Sequence, residues 1–216
     1  MKKNFERISS GNQKGQDAMF ATPDPMPIPA NDIPGPKQGE WTYSHYAALP
    51  DEGKRYEIID GVLYLMPPSP NESHQGVVAW LVMYLMIHIK VAGRGNVYPA
   101  PFDVELTFNT VVQPDIVVVL NESLQKIIPS HVVGAPDLVV EVLSPGTARH
   151  DRVKKYNAYA RARVREYWIV DPRKETVEVM SLEGETYHAI GVFSGEQKIP
   201  SLVIPDFPVQ VKQFFA

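Results

Sequence analysis

Glu141 stands inside the apolar run Leu138–Leu143, where a carboxylate is expensive to bury unless something pairs with it. Asp115 follows Pro114 at the head of a second apolar run, Ile116 to Leu120, and 26 positions separate it from Glu141. That interval leaves room for the two runs to pair as strands and set both carboxylates at one edge of a sheet. Hard oxygen ligands from neighbouring strands are what a magnesium ion takes when it keeps several waters for itself and its substrate. Either carboxylate can instead cap a turn or pair with an arginine. For Asp115 that plain reading has equal standing; for Glu141 the apolar neighbours weigh against it. Asp137 shares a strand face with Val139 and Glu141 by the two-residue period. Four residues along a strand span about 13 Å, too far for one ion, so Asp137 is assigned a structural role at the strand entrance.

A third group comes from the segment that follows. Residues 136–171 read as strand, turn (Ser144, Pro145, Gly146, Thr147), basic helix and strand, closed by Asp171-Pro172. This is the pattern of a right-handed crossover in a partly parallel sheet. On the helix, Asp151, Lys155 and Tyr159 fall at i, i+4 and i+8, on one stripe. The plain reading is a surface Asp–Lys pair worth a few tenths of a kcal/mol, and helix periodicity alone favours it. The sharper reading brings the Lys155 ammonium back to the carboxylate edge, where it would stabilise charge developing on a phosphoryl group. Lys154 lies about 100° round the helix, so only one of the two lysines can point at a given site. Arg149, Arg152, Lys154, Lys155, Arg161, Arg163 and Arg165 are opposed locally only by Asp151 and Glu166. Such a cluster suits a polyanion, although a solvated helix face explains it as well. His74, at the start of a long helix, and Glu57, between Tyr56 and Ile58 in a strand, are each read as surface residues or as groups that position water.

The chain of 216 residues with no cysteine and a formal net charge of -4 is long enough for one substantial core. It excludes thiolate metal sites and disulfides, and it is compatible with a reducing cytoplasm. Residues 1–20 hold no long apolar core, so no signal peptide is expected. The most apolar stretch, residues 77–91, contains His88 and Lys90 and is expected to be too short to span a bilayer. Pro23, Pro25, Pro27, Pro29, Pro34 and Pro36 mark residues 1–40 as an extended tail without helix or sheet. A single domain is expected over residues 41–216.

Within it, Thr42 caps a short helix ended by Pro50. Residues 55–59 and 62–66 form an N-terminal hairpin around Asp60-Gly61. An amphipathic helix begins at Ser73, with Val77, Val78, Leu81, Leu85 and Ile89 inward. Residues 97–108 and 111–119 read as two strands, and 121–135 as a loop or short helix. Residues 177–182 and 187–192 form a C-terminal hairpin, and 209–215 a closing helix. The sum is an α/β (α+β) domain, a mixed sheet with helices on both faces.

The segments YEIIDG (56–61), His74, QPD (113–115), PDLVVEVLSP (136–145), DRVKKYNAY (151–159) and EYWIVDP (166–172) together resemble the Uma family, grouped with the PD-(D/E)XK, restriction-endonuclease-like nucleases. The likeness covers residues 41–216. It implies a restriction-endonuclease-like fold with a central mixed β-sheet flanked by helices, and a Mg2+-dependent endonuclease acting on DNA, with Mn2+ as a substitute ion. Asp115 and Glu141 would be the metal ligands. The lysine that the wider class carries two residues after the glutamate is Leu143 here, and Lys155 matches a position to which the family moves it. His74 and Glu57 match family positions as well. A homodimer is expected from the two-fold symmetry of double-strand cutting, with no organic cofactor and no membrane. A nuclease fold that binds DNA or dimerises without cutting, and a metal-dependent hydrolase of another substrate, are the alternatives.

Overall fold

Two prolines decide how the middle of the chain is laid out. The structure, a computed structural model, describes residues 27–67 and 72–216. The two strands expected over 97–108 and 111–119 are each cut in two. The first becomes β4 (Gly95–Pro99) and β5 (Asp103–Thr107), broken around Pro101; the second becomes β6 (Thr110–Val112) and β7 (Ile116–Leu120), broken at Pro114. Proline has no N–H to give a ladder and cannot continue a central strand. At each break the chain passes from one sheet to the other.

There are therefore two mixed sheets where one was expected. The first has the order β1-β3-β2-β6-β5-β8, with β1 Ile28–Pro29, β2 Tyr56–Ile59, β3 Val62–Leu65 and β8 His131–Val133. The second runs β12-β11-β10-β9-β7-β4, with β9 Leu138–Val142, β10 Glu166–Asp171, β11 Thr176–Glu183 and β12 Thr186–Ser194. The crossover read from residues 136–171 is present: β9 and β10 pair in parallel. Strand β8 lies in the region expected to hold only a loop or short helix, beyond a 3-10 turn at Asn121–Lys126.

Besides the short α1 (Tyr43–Ala47), two helices cover opposite faces of the second sheet. Helix α2 (Glu72–Leu85) continues as π-helical turns through Val91. It buries Val77, Leu81, Leu85 and Ile89 against Val118, Val140, Trp168 and Val170. Helix α3 (Tyr156–Ala162), entered through π-helical turns at His150–Lys155, places Ala158 and Tyr159 against Val117, Val139, Tyr167 and Ile169. Residues Val104, Val112 and Val132 of the first sheet close the same core. Leu138, Val140 and Val142 thus face α2, while Val139, and with it Glu141, faces α3 and the first sheet. Helix α2 and its extension together run 20 residues with mean hydropathy 1.3, long and apolar enough by length and composition to cross a membrane. The apolar stretch expected to be too short, residues 77–91, is only the later part of this helix, and its inward stripe packs on the sheet.

The proline-rich segment also differs from its expected form. Residues 1–26 lie outside the described residues, but Ile28 and Pro29 pair with Leu65 and Tyr64, at an edge position where proline is tolerated. The Leu63 carbonyl accepts from the Ala30 N–H at 2.8 Å, the Gln38 Oε1 accepts from the Leu63 N–H at 2.8 Å, and Gly61 O accepts from Gly39 N–H at 2.7 Å. This segment and Trp41 form a small core with Ile58, Leu63 and Val111.

The hairpin turn sets that contact. Asp60 and Gly61 both take positive φ, 53° and 73°, as a tight two-residue turn between twisted strands requires. A Cβ on Gly61 would overlap the carbonyl of Gly39. Gly61→Ala is expected to lower the urea midpoint by the equivalent of about 2 kcal/mol, while Gly53→Ala, where a Cβ meets open space, costs less. Equal midpoints would show that residues 27–40 are not held by this turn.

Candidate active site

The register of β7 and β9 brings the first two candidates together. Ile116 pairs with Val140 in an antiparallel ladder, so Asp115, one residue earlier, stands across from Glu141. The Val142 N–H donates to Asp115 Oδ2 at 2.8 Å, fixing that carboxylate on the sheet edge. The first turn of α2 places His74 Nε2 3.3 Å from the same Oδ2. From the first sheet, β2 delivers Glu57, whose Oε1 accepts from the Gln113 N–H at 2.9 Å.

Lys155 joins these elements. Its Nζ lies 3.0 Å from Glu141 Oε1, 2.8 Å from Glu57 Oε1 and 3.7 Å from Asp151 Oδ1. The Tyr159 hydroxyl donates to Glu141 Oε1 at 2.6 Å. The Asp151–Lys155–Tyr159 stripe therefore faces inward, and the surface-pair reading of it is set aside. Lys154 points elsewhere, to the Tyr64 hydroxyl at 2.6 Å. His150 Nε2 lies 3.4 Å from Glu57 Oε2; no spacing in the sequence marked it. Glu57, Asp151, Glu141 and Lys155 are only 1–3% exposed, which removes the solvent-facing reading of Glu57. His74 is buried too. All five predicted site residues line one cavity of about 40 Å³, with Asp151, Gln113 and Thr147 beside them, room for roughly an ion and one or two waters.

Other assignments are sorted by the same contacts. Asp137 accepts from the Leu120 N–H at 2.8 Å and the Ser123 hydroxyl at 3.2 Å, the structural role expected of it. Four arginines of the basic cluster are paired with carboxylates, while Arg149 and Lys154 are exposed and make no ion pair among the described residues. Arg152 pairs with Glu178, Arg161 with Asp60, Arg163 with Glu185 and Arg165 with Asp137, while Lys155 is buried.

The electrostatics of the cavity follow from burial and from an excess of carboxylates. Burial pushes the Glu141 carboxyl well above its usual range; Lys155 opposes this, and Asp151, Asp115 and Glu57 reinforce it. Burial likewise raises Asp151 to about 6, against the pull of Lys155. For Glu57 burial is outweighed by Lys155 and His150, which hold it at about 2. Burial also disfavours the Lys155 ammonium, but Glu141, Glu57 and Asp151 together raise it well above the usual lysine range.

The donor set fits a hard cation. Glu57 Oε2 and Asp151 Oδ1 are buried and make no hydrogen bond, facing only the longer contacts to His150 at 3.4 Å and Lys155 at 3.7 Å, and the carboxylates outnumber the cations that face them. Among the described residues, no three His, Cys, Asp or Glu side chains converge closely enough to hold a metal alone. A magnesium ion, which keeps several waters, does not require that.

A family model described as "Uma2: Putative restriction endonuclease" matches residues 43–212. The chain belongs to the Uma2 family. A crystal structure from Anabaena variabilis, described as a "putative nuclease belonging to DUF820", superposes on this Uma2 chain with a TM-score of 0.66 at 20% identity. The match covers 81% of the Uma2 chain and 97% of the other, so the two share a fold. No curated protein matches the chain. In this Uma2 member Leu143 is half-buried two residues beyond Glu141, and the ammonium beside Glu141 is that of Lys155.

Asp151 provides a test of this charge balance. Its carboxyl titrates near 6 in the fold against 3.8 ordinarily, so the folded state holds the proton more tightly. Stability contributed by that proton is complete below pH 3.8 and is lost as pH rises through about 6. Asp151→Asn, melted in EDTA, is expected to exceed wild type by about 1–3 kcal/mol near neutral pH and to lose that advantage in acid. A variant less stable than wild type at neutral pH would contradict this account.

Proposed function

We propose that this Uma2 protein is a metal-dependent endonuclease that hydrolyses DNA phosphodiester bonds. The observation that carries the reading is the meeting of Asp115 and Glu141 at one sheet edge with the Lys155 ammonium 3.0 Å from Glu141. Phosphodiester hydrolysis demands barrier lowering on the order of 20 kcal/mol. Mg2+, or Mn2+ in its place, held by Asp115 and Glu141, would acidify a bound water and neutralise the scissile phosphate.

The chain's own groups supply the rest. Lys155, kept charged by its carboxylate partners, offsets negative charge developing on the phosphoryl oxygens. Tyr159 holds the Glu141 carboxylate in place, and the Val142 N–H holds Asp115. His74 and Glu57 line the cavity where the attacking water sits and orient it. Glu57 also fixes Lys155, through the contact at 2.8 Å. The reading carries with it a cytoplasmic setting and a homodimer, because cutting both strands at a symmetric site calls for two active sites related by a two-fold axis.

Calorimetry with Mg2+ and Mn2+ is expected to show binding to wild type and none to Asp115→Ala/Glu141→Ala. Glu141→Ala and Lys155→Ala, verified as folded by circular dichroism, should each lose at least about a hundredfold in DNA cleavage. Cleavage at the wild-type rate by either variant would sink the mechanism. DNA binding without metal and without cutting would favour a non-cutting nuclease fold.

A further inference from the structure

Two permanently basic side chains line the catalytic cavity, Lys155 and Arg55. Lys155 is locked between Glu57 and Glu141. Arg55 is not. It is half-buried, its Nη2 donates only to the Pro67 carbonyl, at 3.4 Å, and no carboxylate among the described residues pairs with it. Four of the five arginines of the basic helix segment, by contrast, are tied to carboxylates (Arg152, Arg161, Arg163 and Arg165), and the fifth, Arg149, does not line this cavity. A guanidinium steadied by a backbone carbonyl, with its charge left uncompensated, is prepared for an anion that arrives from outside.

A groove of about 390 Å³ begins at the same residue. It shares Arg55 and Gln113 with the catalytic cavity and runs past Tyr46, Leu49, Pro50 and Pro101. Its near wall is stiffened by Gln113, whose Nε2 donates to Asp103 at 2.8 Å and to the Tyr46 hydroxyl at 3.1 Å. The Tyr46 hydroxyl in turn donates to Asp103 at 2.9 Å. Arg55 thus stands at the junction between an acidic cavity suited to a cation and a largely apolar, preformed groove.

Building on the nuclease reading, we propose that Arg55 anchors the phosphate next to the scissile one and that the groove seats the nucleoside attached to it. The planar guanidinium matches a phosphate with two parallel hydrogen bonds. The walls of Leu49, Pro50 and Pro101 cover sugar and base. A nucleoside in that groove has left the duplex stack, so each site of the dimer takes one strand of a locally opened or unpaired stretch of DNA, and an isolated single strand binds more tightly than an intact duplex.

The test is fluorescence anisotropy in EDTA, over a range of salt, with a labelled single-stranded oligodeoxynucleotide and with its duplex. Wild type is expected to bind the single strand more tightly. Arg55→Ala should lose about tenfold or more in affinity, with a salt slope reduced by about 0.7. Arg55→Lys should recover the slope but only part of the affinity. Mn2+ affinity, measured by calorimetry, should not fall in either variant, because the Asp115 and Glu141 carboxylates are untouched and loss of a neighbouring positive charge can only favour a cation. A wild-type preference for duplex, or Arg55→Ala matching wild type in affinity and slope, overturns the proposal while metal binding and cleavage by wild type leave the nuclease reading standing. Wild type that binds neither metal nor DNA overturns both.

Discussion

The buried contact of Lys155 with Glu141 and Glu57 is the constraint on which the rest of the molecule turns. Removing an ammonium and carboxylates from water costs several kcal/mol per ion, and only close, well-ordered partners repay it. The three side chains come from three different elements: β2 of the first sheet, β9 of the second and the turns leading into α3. None of these elements can shift without exposing an unpaired charge to a low-dielectric interior. The two sheets, the crossover and the aromatic packing of Tyr159 on Tyr167 are therefore coupled through one ammonium.

Not every buried carboxylate in this fold has the same meaning. Glu166 is completely buried, yet its oxygens accept from the Trp168 indole N–H and from the Leu202 and Val203 N–H groups. Asp137 is similarly satisfied by backbone and side-chain donors. These are supports: each closes a gap in the hydrogen bonding of the scaffold. Glu57 and Asp151 instead keep one oxygen each without a hydrogen bond, facing His150 and Lys155 only at 3.4 and 3.7 Å, beside a cavity. An acceptor left unmade in the interior costs as much as a lost hydrogen bond or more. Its persistence at a cavity wall, where water, a cation or a substrate can supply the missing partner, separates a binding site from a structural ion pair.

The placement of cations completes the pattern. Along the helix segment that carries Lys155, Arg152, Arg161, Arg163 and Arg165 are each paired with a carboxylate, which leaves Arg149 and Lys154 as its exposed cations without one among the described residues. Within the cavity lining, a guanidinium without a carboxylate partner among the described residues stands at Arg55, just before β2. The cavity lining thus combines fully buried carboxylates with one half-buried guanidinium.

The sequence by itself determined the local pieces: the buried carboxylate of β9, the Asp151–Lys155–Tyr159 stripe, the Asp60-Gly61 turn, the crossover and the family. Each is written in spacing of two or four residues, in turn chemistry or in an uninterrupted motif, so nearest neighbours along the chain suffice to read it. Tertiary structure alone decided that Pro101 and Pro114 split two long strands between two sheets, because a proline marks a break without saying where the chain goes next. It alone paired Pro29 with Tyr64, buried Glu57 against His150, and brought Arg55 to the cavity. Those outcomes depend on which surfaces meet across gaps of tens of residues, and a contact of that kind leaves no period in either of the segments that make it.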